Sequence, residues 1–379
     1  MPRPPRASPE VEAIASGVYA PVAGVAAPER VCPLNVGDTW LAPFEGARAE
    51  DLRQAEHPGL HRYGDTRGVP ELLDALLEKV RRRNGLECGR ESLLVTGGAT
   101  AGLAHAVLAL TSPGDEVLIL APFWPLIRGM TRAAKAVPVE VPFYDRVDSA
   151  EAAVEAVRGR LTPRSVALYL CTPSNPTGRL LPRSWLEALA ELARRENLWL
   201  LADEVYESLV YRGEHVSIAR FAPERTFTAF SFSKAYGMAG YRVGYLVGPP
   251  AALEQVHKVS THTLYSVPTP GQYAALRALR HAGPWLERAR EAYRAAGEAA
   301  AEALGLPAPE GSTFLFVDVR ERLDARGIDG FLADCLRDGV ALSPGASSGS
   351  DYAGWVRLCY TAAPPEQVAG AVARLAKRL

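Results

Sequence analysis

The sequence predicts an α/β protein: a large domain with a mainly parallel seven-stranded sheet flanked by helices, followed by a smaller α+β unit. Two observations carry this. From about residue 90 to 250, short and nearly all-apolar runs alternate with amphipathic stretches, the pattern of strands covered on both faces by crossover helices. Beyond about residue 250 the apolar runs give way to helical periodicity and then to a second, shorter set of strands.

In chain order, residues 1–10 are rich in proline and arginine and lack an apolar stretch, so they read as a flexible tail and not as a signal peptide. Strands are expected at 92–96, 116–120, 137–141, 165–170, 198–202, 226–230 and 242–247. Helices are expected between them at 101–110, 150–160 and 183–196, which calls for right-handed crossovers. Residues 251–260, 271–282 and 285–304 read as further helices, the last a long Ala/Glu/Arg-rich connector. The second strand set falls at 313–319, 340–342 and 355–360, with helices at 331–337 and 365–379. No internal repeat is visible.

A chain of 379 residues is long enough for two domains. With 48% hydrophobic and 22% charged residues it fits a globular protein in water. A net charge of −1 gives no bulk electrostatic reason to bind nucleic acid or an anionic membrane. The five cysteines (Cys32, Cys88, Cys171, Cys335, Cys359) are scattered and form no C-x-x-C pair. That argues against a disulfide framework or a zinc site and for a reducing compartment. No run of about 18 apolar residues appears, so a cytoplasmic protein without metal is expected.

Four stretches carry candidate chemistry. In FTAFSFSKAYGMAGYRVG (227–244), Lys234 follows a strand end, where open α/β sheets place ligands. It is the only charge between 226 and 241, and such apolar surroundings lower a lysine's pKa and make it a usable nucleophile. In LWLLADEVY (198–206), Asp203 ends an otherwise apolar run. It reads either as a helix N-cap, with Glu204 an exposed neighbour, or as counter-ion to a buried cation such as a protonated ring nitrogen. TPSNPTG (172–178) is a turn on its face, yet the amide of Asn175 is able to donate to a phenolate oxygen. VTGGATAGL (95–103) places glycines between a strand and a helix start, where free N–H groups and the helix dipole hold phosphate. It matches neither G-x-x-x-x-G-K-[ST] nor G-x-G-x-x-G, which weakens a nucleotide-binding or dehydrogenase reading.

Taken together, SNPTG, ADEVY, SFSKAYGMAGYRVG and VRLCY, with 59 residues from Asn175 to Lys234 and Asp203 between, resemble the class I/II aminotransferases of pyridoxal-phosphate (PLP) fold type I, the aspartate-aminotransferase family. The resemblance runs from about residue 33 to 379 and implies PLP as cofactor. It implies a split into an N-terminal arm (1–45), a large cofactor-binding domain (46–284) and a small C-terminal domain (285–379), with the arm contributing to the small domain. Lys234 would hold the cofactor as a Schiff base and shuttle the proton. Asp203 would pair with the ring nitrogen, and Tyr206 and Asn175 with the phenolate oxygen. Gly98, Ala99, Thr100, Ser231 and Arg242 would bind the phosphate, and Trp124 in APFWP would stack on the ring. Tyr63 in HRYGDTRG would reach the phosphate of a neighbouring subunit, which implies a homodimer with shared active sites. Arg357 in WVRLCY would grip the substrate α-carboxylate with a forked pair of hydrogen bonds, with Gly37 of PLNVGDTW and Asn175 beside it.

The chain departs from acid-specific members in having Ala99 where some carry a lysine and Ile127 where classical members carry a histidine. No second arginine for a side-chain carboxylate stands out except Arg128. The expected reaction is therefore ping-pong amino transfer between a neutral or aromatic amino acid and a 2-oxo acid. A PLP-dependent lyase, β/γ-replacement or cyclising enzyme on the same residues is the alternative, because the pocket decides the fate of the carbanion. A PLP-sensing regulator is disfavoured because no helix-turn-helix segment precedes the fold.

Overall fold

A computed structural model describes residues 6–19 and 24–379. Seven strands make the large sheet: β1 (Leu93–Thr96), β2 (Glu116–Ala121), β3 (Val137–Pro142), β4 (Ser165–Cys171), β5 (Trp199–Asp203), β6 (Thr226–Ser231) and β7 (Gly244–Val247). Their spatial order is β1-β7-β6-β5-β4-β2-β3. Only β7 runs against the rest, pairing antiparallel with both β1 and β6. A second sheet of β8 (Phe314–Asp318), β9 (Ser343–Pro344) and β10 (Trp355–Cys359) has the order β8-β10-β9 and is antiparallel.

The apolar runs work because the central strands are buried along most of their length, with only their ends partly exposed. Leu118, Leu120, Leu168, Leu170, Leu200 and Ala202 face one core. Val117, Ile119, Tyr169, Cys171, Leu201, Phe227 and Ala229 face the other. Each fully buried Leu, Val, Ile or Phe stabilises by ~1.5–3 kcal/mol, so a doubly covered strand tolerates few polar interruptions.

The helices are α1 (Pro9–Glu12), α2 (Pro70–Asn84), α3 (Gly98–Leu110), α4 (Leu126–Ala133), α5 (Ala150–Arg158), α6 (Arg183–Arg195), α7 (Pro250–Thr263), α8 (Thr269–His281), α9 (Gly283–Ala303), α10 (Gly327–Arg337) and α11 (Pro365–Ala376). Their ends follow local chemistry. Ser149 caps α5 by accepting from Ala152 N. Helix α2 starts on Pro70, carries Arg81, Arg82 and Arg83 in its last turn, and stops at Gly85 with φ 64°.

Four sequence expectations need correction. Residues 340–342 are not a strand: only Ser343 and Pro344 pair with β10, and Val340 makes one isolated bridge to Cys32. Pro344 has no N–H to continue a ladder, and a 3-10 turn follows at once. Part of the expected tail is ordered: Ser8 caps α1, with Pro9 at its first position and Glu10 and Glu12 favouring its N-terminus; residues 1–5 of that expectation lie outside the described residues. Helices α2 and α4 were not anticipated. Finally, Glu204 is fully buried and begins a turn instead of flanking a capped helix.

Candidate active site

The site forms where strands end. Strands β4, β5 and β6 finish side by side, with Cys171 opposite Asp203 and Asp203 opposite Ala229, and β7 pairs Gly244 with Ser231. A cleft at this carboxyl edge is lined by Ala99, Thr100, Trp124, Asn175, Asp203, Tyr206, Ser231, Lys234 and Arg242. Nine of the residues singled out from sequence thus share one cavity. Val205 and Ser233 complete its wall.

Asp203 is the last residue of β5 and only 4% exposed. Its Oδ2 accepts from Tyr169 Oη at 2.9 Å and its Oδ1 from Val205 N at 3.4 Å. Burial pushes its carboxyl up to about 6, against those two hydrogen bonds. Lys234 sits partly buried, and its Nζ donates to the carbonyl of Gly37. Burial lowers its pKa, Arg357 and Arg242 push the same way, and Asp38 and Cys359 oppose them. Tyr206 is buried with its phenol raised by burial, edge-on to Phe314 at 6.0 Å.

At the other end of the cleft, Gly98 opens α3 with φ 77°, and a Cβ there would stand 2.6 Å from Arg242 Nη2. The missing side chain is what lets the guanidinium approach the helix start. Arg242 itself has φ 55° and donates to the carbonyls of Ala239 at 2.7 Å and Gly97 at 3.3 Å. Ser231 Oγ accepts from Ser233 N at 3.0 Å.

Arg357, on β10, is 2% exposed. It donates to Asn175 Oδ1 at 3.1 Å, to the carbonyl of Asn35 at 2.8 Å and to Ser343 Oγ at 3.3 Å. Its Cζ lies 4.4 Å from the ring of Phe314 and 4.8 Å from that of Tyr19. Its Nε, buried, has no partner. Gly37 is close by: a Cβ there would meet Phe314 at 2.7 Å. Tyr63 alone stands apart, 84% exposed, with its ring 4.9 Å from that of Tyr265.

Several participants escaped the sequence reading. Tyr19 and Asn35 come from a segment with no strand or helix signal. Tyr169 left one: a tyrosine inside a doubly buried strand must find a partner for its hydroxyl. Beneath the cleft, Glu207 and Lys79 form a buried ion pair, with Asn84 donating to Glu207 Oε2 at 2.6 Å. Burial works to raise Glu207, but Lys79 beside it holds it below the usual range. Glu204 Oε2 and His215 Nε2 lie 3.4 Å apart; burial pushes the Glu204 carboxyl up and His215 down to about 4. Arg128 is engaged elsewhere, with Glu140 at 2.8 Å and the carbonyls of Ala346 and Ser347 at 3.1 and 2.9 Å. Among the described residues, no group of three potential metal ligands occurs.

The family described as aminotransferase class I and II matches residues 29–375. An aspartate/prephenate aminotransferase of Thermus thermophilus is 38% identical over 342 residues, 87% of this chain and 86% of that protein. An arginine–pyruvate transaminase of Pseudomonas aeruginosa is 36% identical over 352 residues, covering 90% and 88%. The solved structure of an aspartate aminotransferase from Thermus thermophilus with maleate superposes with a TM-score of 0.88 at 34% identity, covering 99% of this chain and all of that one.

Proposed function

The chain belongs to the class I and II aminotransferases, a PLP-dependent family of amino-group transferases, and on that premise we propose how its own residues divide the work. When bound, PLP supplies an aldehyde and an electron-accepting ring. Three features of this chain suit that group. The approach of Arg242 to the N-terminus of α3, open because Gly98 has no side chain, suits a phosphate. Asp203 is a buried carboxylate whose pKa is affected by burial, a phenol and a backbone N–H, and by no cation, which suits a positively charged ring nitrogen. Lys234, lowered by burial, suits an amine that must react unprotonated.

In this assignment Lys234 Nζ is the cofactor-bearing amine and the base that moves the proton, and Asp203 keeps the ring nitrogen charged. Asn175 spends its amide oxygen on Arg357, which leaves its NH2 group, with Tyr206, for the phenolate oxygen. Gly98, Ala99, Thr100, Ser231 and Arg242 take the phosphate, and Trp124 covers the ring. Arg357, with an unused Nε and two aromatic rings fixing its plane, takes the substrate α-carboxylate. Arg357 lies in the 285–379 unit and Lys234 in the 46–284 unit, so substrate ties the two together and excludes water. The exposed ring of Tyr63 serves the cleft of a second copy in a homodimer. No helix among the described residues is long and apolar enough to cross a membrane.

The amino donor is proposed to be neutral or aromatic. Arg128 is already committed to Glu140 and two carbonyls, and a second buried carboxylate needs a cation of its own. The observation that carries the whole assignment is the meeting of Lys234, Asp203 and Asn175 in one cleft. A panel of amino acids mixed singly with the holoenzyme tests it. Neutral or aromatic donors bleach the bound cofactor's absorbance and a 2-oxo acid restores it. Bleaching by aspartate and glutamate alone overturns the donor class. Turnover to ammonia without an oxo acid overturns the reaction.

A further inference from the structure

We propose that Tyr169 is a positioning residue of the cofactor site, acting through Asp203 on the ring nitrogen. This rests on the assignment of Asp203 above. Tyr169 sits in the middle of β4, and its register partner on β5 is Leu201, two residues before Asp203. Residues two apart on a strand share a face, so Tyr169 is the diagonal neighbour of Asp203, within reach of an aromatic side chain. Its ring is fully buried in the core that α3 and α7 cover, among Val117, Ile119, Leu201 and Phe227. Its one polar atom meets a carboxylate oxygen, Asp203 Oδ2, at 2.9 Å.

A core position asks for an apolar side chain, and a phenol there costs desolvation unless its hydroxyl is bonded. Here the bond has a directed consequence. A donated O–H stabilises the ionised carboxylate against burial. It also occupies one oxygen, leaving the other facing Val205 N and the cleft. The other titratable groups that feel Asp203 are Tyr144, which precedes α5, Cys171 on β4 and Tyr206 in the turn after β5. All three are neutral acids at pH 7, so none takes over if the phenol is lost. Tyr144 is in any case bonded to the backbone of Cys171, at 2.6 and 2.9 Å.

The test compares the full-length parent, Tyr169→Phe and Asp203→Asn, each stripped of cofactor and titrated with two probes. One is PLP. The other is its 1-deaza analogue, in which C–H replaces the ring nitrogen. A charge-assisted hydrogen bond held in a buried site predicts that Tyr169→Phe weakens PLP about tenfold, while the deaza analogue binds within about twofold of parent. The analogue thus serves as an internal control for folding. Asp203→Asn should erase most of the parent's preference for PLP over the analogue. If Tyr169→Phe weakens both probes alike, or neither, the hydroxyl is only structural and the proposal falls. If Asp203→Asn keeps the full preference, the Asp203 assignment fails first, and the two failures are distinguishable.

Discussion

Replacing Asp203 by asparagine should make the cofactor-free protein more stable while weakening its hold on PLP. The carboxyl is raised from 3.8 to about 6 by burial. Each tenfold change in proton affinity is worth about 1.4 kcal/mol, so the folded apoprotein carries a penalty of about 3 kcal/mol for ionising this group. The sign follows from linkage. A carboxyl whose folded pKa lies above its unfolded one binds more protons in the folded state, so the penalty is absent below 3.8, grows between, and is complete above about 6. Asparagine has the same shape and never ionises, and its amide oxygen still accepts from Tyr169. Urea unfolding of both apoproteins at one fixed protomer concentration should therefore show the variant ahead by up to about 3 kcal/mol at pH 8, and by about half of that at pH 5. With PLP present the order should reverse, because the ring nitrogen supplies the missing cation only to aspartate. A variant that is no more stable at pH 8, or a gap that does not narrow toward pH 5, would show that Asp203 carries no buried-charge penalty.

Arg357→Ala should raise KM for the amino donor by roughly a hundredfold, the worth of a buried forked charge pair, and leave PLP affinity within a few-fold; equal losses would remove its carboxylate role. Gly244→Ala should destabilise by about 1–3 kcal/mol or more, because the new Cβ would stand 2.6 Å from Ala99 N and 2.7 Å from Phe230 O, both backbone atoms. Gly240→Ala, with nothing within 4 Å, is the silent control in the same thermal melt. Lys79→Met should cost about 3–5 kcal/mol near neutral pH by leaving Glu207 buried and unpaired. Glu207 is held low by Lys79, so that loss should shrink as pH falls below the unfolded glutamate value and the carboxyl is protonated in both states.

Much of the fold was legible because burial on both faces leaves a simple trace. The central strands are runs of apolar residues, and a polar residue among them needs a reason. That is why Asp203, closing an apolar run, and Lys234, alone in a long uncharged stretch, could be picked out by inspection. It is also why 340–342, apolar but followed by Pro344, gives a false strand signal: the run is buried in the small-domain core without being paired as a strand. Helix α2 hid for the opposite reason, since its six charged residues after Glu71 mask a buried stripe of Leu72, Leu73, Leu76 and Val80.

What no local pattern holds is which elements meet. Arg357 bonds to Asn175, 182 residues away, and to Asn35, 322 residues away. Each partner looks ordinary where it stands, and only the closing of the small sheet against the large one gives the contact meaning. Tyr169 lies between these extremes. Its position in a buried strand announced that its hydroxyl needed a partner, but naming that partner required the register of β4 against β5. A slip of one residue would turn the ring to the opposite face, away from Asp203. The electrostatics of Asp203 are thus set by strand pairing as much as by residue identity. A homologous chain with both residues but a bulge between them should lose the effect that Tyr169 has here.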